Sequence, residues 1–509
     1  MGTDFWGKIF VGLVLLLLGS LLLEAMLVPR PNFKKRCFDA WLVHCGICLI
    51  TYAIELVLFQ RAVFGAVIAL SALLLLVTVS NVKMAMLREP FLFQDFEYFS
   101  DLFRHPRLYI PFFGIWKTII GVISFFIFFY VGIISETSLL SKNEWKYYLL
   151  VLLLLLVCAT IFLKAAKNYS LSLTFNPIED MNEVGLLAYL WWYALAELTP
   201  IQKSSNNPFN KIIKDKLPSV FKDIVVVQSE SFFDPRRVYP DISSHVVKFF
   251  DDIRSVAFQY GFLTVPAWGA NTVRTEFSFL SGLSSKDLGV HRFNPYRKLA
   301  SKDVPTLASH LRRLGYKTIC VHPYMASFYR REKVYPNMGF DEFIDISSFS
   351  ESDYCGSYIG DIAVGRVVSE LLVNSVQPVF IFAITMENHG PLHWEQACAF
   401  DEVRLYNNFP PTCFSDLTVY LRHIENSDQM LLIIREALEK NKREGILCWY
   451  GDHVPIMPDV YKKTNFGDAR TDYFLWESNF QINDAPIFED LRVEELSIVL
   501  LERLFARNK

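Results

Sequence analysis

Two strings carry the residues most able to do chemistry, Gln228-Ser229-Glu230-Ser231-Phe232 and Trp449-Tyr450-Gly451-Asp452-His453. Each follows an apolar run, 224–227 and 446–449, of the kind that forms a buried strand. Two such strands in one sheet would deliver Glu230, Asp452 and His453 to the same edge, where open α/β sheets bind their ligands. Two carboxylates and one imidazole make a mixed oxygen and nitrogen set suited to a divalent cation. Taken singly, Gly-Asp-His is also the composition of a solvated turn.

Between these strings, Gly269-Ala270-Asn271-Thr272 opens into the apolar stretch 277–280, the pattern of a loop entering a helix. A threonine hydroxyl is a poor nucleophile until a cation or base removes its proton, and a helix N-terminus adds positive potential. Thr272 therefore reads either as a covalent nucleophile beside the cation or as the N-cap of that helix.

Taken in this order, Glu230-Ser231-Phe232, Thr272 with Glu276-Phe277, and Gly451-Asp452-His453 resemble the lipoteichoic acid synthase and phosphoglycerol transferase branch of the alkaline phosphatase/sulfatase superfamily. The resemblance implies a C-terminal α/β sulfatase-like domain, one cation held by Glu230, Thr272, Asp452 and His453, and Thr272 as nucleophile. Two further strings extend it. His322, Tyr329 and Arg331 follow the run 317–321, and Glu387-Asn388-His389-Gly390-Pro391 follows 379–384. The family pattern places His322, Tyr329, Arg331 and His389 around the substrate, with Tyr329 standing where the family usually carries Trp. By chemistry, a guanidinium grips phosphate oxygens and an imidazole protonates or hydrogen-bonds a leaving oxygen; a surface cluster is the other reading of His322 and Arg331. Cys398 and Cys413 bracket a polar segment, as in related glucan phosphoglycerol transferases, which makes them a disulfide candidate in an oxidising compartment. The Cys/Ser-x-Pro-x-Arg string of formylglycine sulfatases does not occupy the Thr272 region, which argues against sulfate-ester chemistry.

With 52% hydrophobic and 15% aromatic residues and a mean hydropathy of +0.26, the 509-residue chain is too apolar for one soluble domain. The apolar residues concentrate in 9–27, 38–58, 62–82, 110–134 and 147–163, each near the ~20 residues that cross a bilayer. A transmembrane helical domain of about five spans is expected over 1–168, a linker with an amphipathic helix (181–198) over 169–220 and the catalytic domain over 221–509. Glu24, Asp39 and Glu55 lie near span ends, where water or headgroups are expected within reach. The stretch 91–103, mixing aromatics with acids, reads as an interfacial helix or a core helix of the membrane domain.

Arg30, Lys34, Lys35 and Arg36 follow the first span and Lys83, Arg88, Arg104 and Arg107 the third, against Arg61, Lys142 and Lys146 after the second and fourth. The positive-inside rule then sends the catalytic domain to the cytoplasm. The resemblance implies the opposite, a multi-pass protein of the bacterial inner membrane with an extracytoplasmic catalytic domain, and that is the placement expected. A net charge of −3 offers nothing for nucleic acid to bind.

The resemblance thus implies a phosphotransferase that moves a phosphoglycerol-type headgroup from a membrane phospholipid to a cell-envelope polysaccharide or glucan through a phospho-threonine. With a single His among oxygen ligands, Mn²⁺ or Mg²⁺ is favoured over Zn²⁺. Phosphoethanolamine transfer and phosphodiester hydrolysis would use the same site. A non-enzymatic membrane scaffold is disfavoured because every expected ligand is present.

Overall fold

A computed structural model describes residues 2–97, 115–140, 144–166, 173–198, 207–211, 218–299, 304–479 and 485–506. The chain divides into two compact units, Met1–Pro200 and Ile201–Lys509.

The first unit is helical: α1 (Gly2–Glu24), α2 (Phe38–Phe59), α3 (Ala62–Leu87), α4 (Ile115–Ser135), α5 (Trp145–Ala165), α6 (Pro177–Val184) and α7 (Leu186–Ala196). Within α1, α2, α3 and α5 run four stretches long and apolar enough to cross a membrane, and Ile119–Ser135 of α4 is a shorter apolar stretch. The chain is therefore a membrane protein. Residues 110–114 of the expected fourth span lie outside the described residues. The helices pack through Tyr52, Leu56, Ala62, Ala69 and Leu155, while Phe10, Leu18, Leu22 and Leu153 face outward, a surface suited to lipid.

Three expectations for this unit are corrected. Glu24 does not reach water: it is fully buried, with Arg36 Nη1 on its Oε2 at 2.7 Å and the Leu187 amide on its Oε1 at 3.1 Å. A carboxylate buried in an apolar unit persists only when paired and hydrogen-bonded, so the chain brings its own counter-charge. Arg36 is consequently neutralised, and Lys83 is spent on Glu89 and Asp95 at 2.9 and 2.6 Å, so neither is a free charge for orienting the spans. Arg104, Arg107 and Lys142 lie outside the described residues. The expected helix 181–198 is broken into α6 and α7 at Gly185, whose φ of 80° suits glycine and where a Cβ would sit 2.8 Å from the Arg36 guanidinium. Of 91–103, residues 91–97 are described, with a short 3₁₀ turn at Phe93–Glu97; its Gln94 is buried and donates to Glu197 at 2.7 Å, so the turn packs inside the unit. Residues 98–103, like 169–172, 199–206 and 212–217 of the expected linker, lie outside the described ones.

The second unit is built on one sheet of nine strands: β1 (Asp223–Ser229), β2 (Gln259–Thr264), β3 (Lys317–Val321), β4 (Glu342–Ile344), β5 (Val379–Ile384), β6 (Gly445–Gly451), β7 (Thr471–Glu477), β8 (Ile487–Phe488) and β9 (Leu491–Arg492). Their order is β8-β2-β7-β6-β1-β5-β3-β4, with β9 also on β2. The central strands β6, β1, β5 and β3 are parallel, and β7 runs antiparallel to β6 and to β2. β1 reads Ile-Val-Val-Val because both faces are covered. Val225 and Val227 enter one apolar cluster and Ile224 and Val226 the other, as the two-residue period of a strand requires. The helices that matter below are α8 (Thr272–Ser281), α9 (Asp361–Asn374) and α10 (Ser415–Lys440).

Candidate active site

The register of β1 against β6 pairs Ser229 with Gly451, so the chain leaves both strands side by side and the next residues are Glu230 and Asp452. β5 and β3 end level with them, with Gln228 opposite Ile384 and Val321 opposite Ala383. All four loops that follow these strands therefore open on one edge, the carboxyl end of a parallel sheet.

Gly451 allows the closest of these approaches, since a Cβ on it would stand 1.7 Å from the Phe232 carbonyl oxygen. Gly451→Ala is therefore expected to destabilise the catalytic unit by about 2 kcal/mol or more. A thermal scan that finds the variant as stable as the parent would show that the two loops separate freely.

Glu230, Asp452 and His453 are buried, and one ligand atom from each lies within 4.8 Å of the others. Asp452 Oδ1 accepts the amides of Ser231 and His453 at 2.8 and 2.9 Å, which turns its Oδ2 toward His453 Nε2 at 3.2 Å. Neither of those two buried atoms has a hydrogen-bond partner. Burial and the neighbouring Asp452 carboxylate push the Glu230 carboxyl up to about 8. These observations describe converging buried negative charge that a divalent cation would neutralise, and the donor set fits one.

Thr272 is the first residue of α8. The N-cap is Asn271, in the left-handed region at φ 68°, so the reading of Thr272 as N-cap is set aside by the backbone. Its Oγ1 lies 3.5 Å from Glu230 Oε2, at the positive end of the helix. Thr275 ties the same helix to the loop after β6 by donating to the Asp452 carbonyl at 2.7 Å.

His322 and Arg331 are both 1% exposed, which rules out a surface cluster. Arg331 Nη1 meets His322 Nε2 at 3.1 Å, and its Nη2 donates to Glu276 Oε2 at 2.8 Å. Glu276 also accepts from the hydroxyls of Tyr296 and Tyr335. The guanidinium expected to grip phosphate is thus largely engaged by a carboxylate from α8, the helix that Thr272 opens. The Tyr329 ring lies against it, 5.3 Å from Arg331 Cζ. Burial, reinforced by Arg331, holds the His322 imidazole well below its ordinary range, so it is neutral.

His389 is close enough to Asp452 and to His322 to feel or exert charge on both. Its Nδ1 faces the Gly390 carbonyl at 2.8 Å, which makes Nδ1 the N–H and leaves Nε2 as the basic nitrogen. Burial lowers its pKa.

Several contributors were not singled out in the sequence. Ser231, at φ 56°, donates to Glu230 Oε1 at 3.0 Å and lies 3.3 Å from His453 Nδ1. The Thr385 hydroxyl accepts the Glu230 amide at 3.0 Å. The Asp361 carboxyl, at the start of α9, is pushed up to about 8 by burial and the adjacent Glu387. Ser231 and Glu387 stand inside quoted strings, which was the available signal; Thr385 and Asp361 had none.

The expected disulfide is corrected: Cys398 and Cys413 are free, exposed thiols. Cys398 caps the short helix Ala399–Leu405, its Sγ on Asp401 Oδ2 at 3.2 Å, so local hydrogen bonding rather than a cross-link organises the segment.

The sulfatase family model matches residues 222–482, just over half of the chain. The capsular polysaccharide biosynthesis protein RkpI of Rhizobium meliloti (strain 1021) is 26% identical over 440 residues, covering 82% of this chain and 77% of RkpI. A protein of the same strain provisionally assigned to cyclic beta-1,2-glucan modification is 28% identical over 248 residues, 48% of this chain and 37% of that protein, so the match spans well under half of its length. Among solved structures, the integral membrane protein lipooligosaccharide phosphoethanolamine transferase A (EptA) of Neisseria meningitidis aligns over 98% of this chain and 95% of its own, at 12% identity and a TM-score of 0.58, a likeness of fold.

Proposed function

This chain belongs to the sulfatase family, and from that premise we propose that it is a membrane-anchored phosphotransferase that carries a phosphoglycerol-type headgroup from a phospholipid to a cell-envelope glycan. The observation that carries the reading is the placement of the Thr272 hydroxyl, at a helix N-terminus and 3.5 Å from a buried carboxylate of the Glu230, Asp452, His453 set. Those four residues would hold the divalent cation, Mn²⁺ or Mg²⁺ ahead of Zn²⁺, which when bound supplies charge stabilisation and lowers the pKa of the threonine hydroxyl.

Thr272 Oγ attacks the phosphorus of the lipid phosphodiester. The bond to the diacylglycerol oxygen breaks, and the threonine proton ends on that oxygen. In the second half, a sugar hydroxyl attacks phosphorus, the Thr272 bond breaks, and the sugar's proton returns to Thr272. His389, neutral through burial and with Nε2 as its basic nitrogen, relays these protons. His322 and Tyr329 line the headgroup side, while Glu276 holds Arg331 in place beside them. The polysaccharide role of RkpI and the glucan role assigned to the second relative support a glycan acceptor. Transfer to such an acceptor places the catalytic unit outside the cytoplasm.

Mass spectrometry of the Thr272 peptide tests the reading, after the full chain has been incubated with phosphatidylglycerol and Mn²⁺. A glycerophosphoryl adduct on Thr272 is expected. A phosphoethanolamine adduct formed only with phosphatidylethanolamine would replace the headgroup, and no adduct with either lipid would overturn the mechanism.

A further inference from the structure

Residues 391–414, which follow the His389 string, present a surface opposite to that of a water-facing helix. The short helix Ala399–Leu405 buries Leu405 and Asp401, the latter only 5% exposed, while Phe400 and Val403 face outward at 70% and 64%. Positions 400 and 403 are one helical turn apart, so both lie on the outer face. Trp394 and Phe409, on either side of the helix, are exposed as well. The charges take the other course. Glu395, Asp401, Glu402 and Arg404 are the acids and bases of the segment apart from His393, and none of the four is exposed. Three of them turn to α10: Glu395 and Asp401 accept from Arg422 at 2.6 and 3.1 Å, and Arg404 donates to Glu425. A helix facing water places its charges outward and its apolar side chains inward.

This inversion identifies what covers the face. A strongly acidic or basic partner finds no exposed Asp, Glu, Lys or Arg here to pair with. Two phenylalanines, a valine and a tryptophan, interleaved with the exposed Gln396, Asn407 and Thr412, match the headgroup boundary of a bilayer, where Trp is enriched and apolar side chains are buried. A bilayer is also tied to this unit by the chain itself, through the four helices of the first unit that are long and apolar enough to cross a membrane. That linkage holds lipid at high effective concentration, whereas a soluble partner must arrive by diffusion.

We propose that residues 391–414 form an interfacial segment that seats the catalytic unit on a phospholipid surface, with Trp394, Phe400, Val403 and Phe409 entering the headgroup boundary. Because the segment begins two residues past His389, contact there keeps the loops at the carboxyl edge of the sheet close to lipid. The inference goes beyond the phosphotransfer reading and stands without it.

Photocrosslinking of the full chain, in nanodiscs of phosphatidylethanolamine and phosphatidylglycerol, tests it. Phe400→benzoylphenylalanine and Phe409→benzoylphenylalanine each enlarge an exposed ring, a change that leaves the fold intact. Val376→benzoylphenylalanine is the control, since Val376 is 96% exposed and precedes β5, at the opposite edge of the sheet. After irradiation, mass spectrometry of the labelled peptides is expected to show whole-phospholipid adducts at 400 and 409 about tenfold or more above those at 376. Adducts at neither 400 nor 409, or equal yields at all three positions, would overturn the lipid contact. Crosslinks from 400 or 409 to a second copy of the chain in place of lipid would also overturn it, and would make this face a protein interface. Because the readout is contact rather than turnover, lipid adducts in a protein that cleaves no phosphatidylglycerol would sustain the interfacial segment while defeating the donor assignment.

Discussion

Thr272→Ala is expected to lower diacylglycerol release from phosphatidylglycerol on the order of a thousandfold or more while leaving the protein folded. The size of the effect follows from the proposed covalent route, in which the Thr272 hydroxyl is the attacking group, while the Thr275 hydroxyl of the same turn is spent on the Asp452 carbonyl. The structural cost is small for a specific reason. Asn271, not Thr272, occupies the cap, and the Thr272 hydroxyl is directed at Glu230 rather than at the helix backbone. The variant therefore forgoes less than the ~1 kcal/mol of an ordinary cap deletion. Thr272→Ser, which keeps the hydroxyl, is expected to keep a measurable fraction of the rate. A purified Thr272→Ala protein that unfolds at the parent's temperature and retains more than trace turnover would show that another group takes the phosphoryl.

Removal of the cation is the second large effect. Chelation is expected to abolish turnover and to lower the melting temperature, because Glu230 and Asp452 are then left buried beside each other with only His453 between them. Added Mn²⁺ or Mg²⁺ is expected to restore both. Asp452→Asn separates the electrostatic part from the structural part. Asparagine keeps an oxygen where Asp452 Oδ1 receives the Ser231 and His453 amides, so the loop is expected to hold, while the lost charge weakens cation binding on the order of a hundredfold or more. Titration calorimetry with Mn²⁺ decides it: parent-like affinity in Asp452→Asn would remove Asp452 from the ligand set.

Much of the catalytic unit is legible in its strings. The runs 224–227, 317–321, 379–384 and 446–449 became the four central parallel strands, because a strand covered on both faces must be apolar at every position. Membrane spans are legible for the related reason that lipid demands an unbroken apolar stretch. The helix break at Gly185 was hidden, since the residue that requires a glycine there is Arg36, far away in sequence. Glu24 looked like a span-end charge because nothing local reveals its pairing with Arg36.

By itself, then, the order of residues determined which positions become strands and spans, and which side chains, Glu230, Thr272, Asp452 and His453, leave those strands or open a helix. Local chemistry and periodicity are properties of neighbours along the chain. The tertiary structure alone decided which charges neutralise one another. Arg331 went to Glu276 and Arg36 to Glu24, and Cys398 went to Asp401 instead of Cys413. It also set the Tyr358 ring against His389, from a hairpin that shares no motif with the His389 loop. Such pairings depend on distances across the sheet, and burial makes them compulsory, because a charge removed from water must find its partner wherever the fold has placed one.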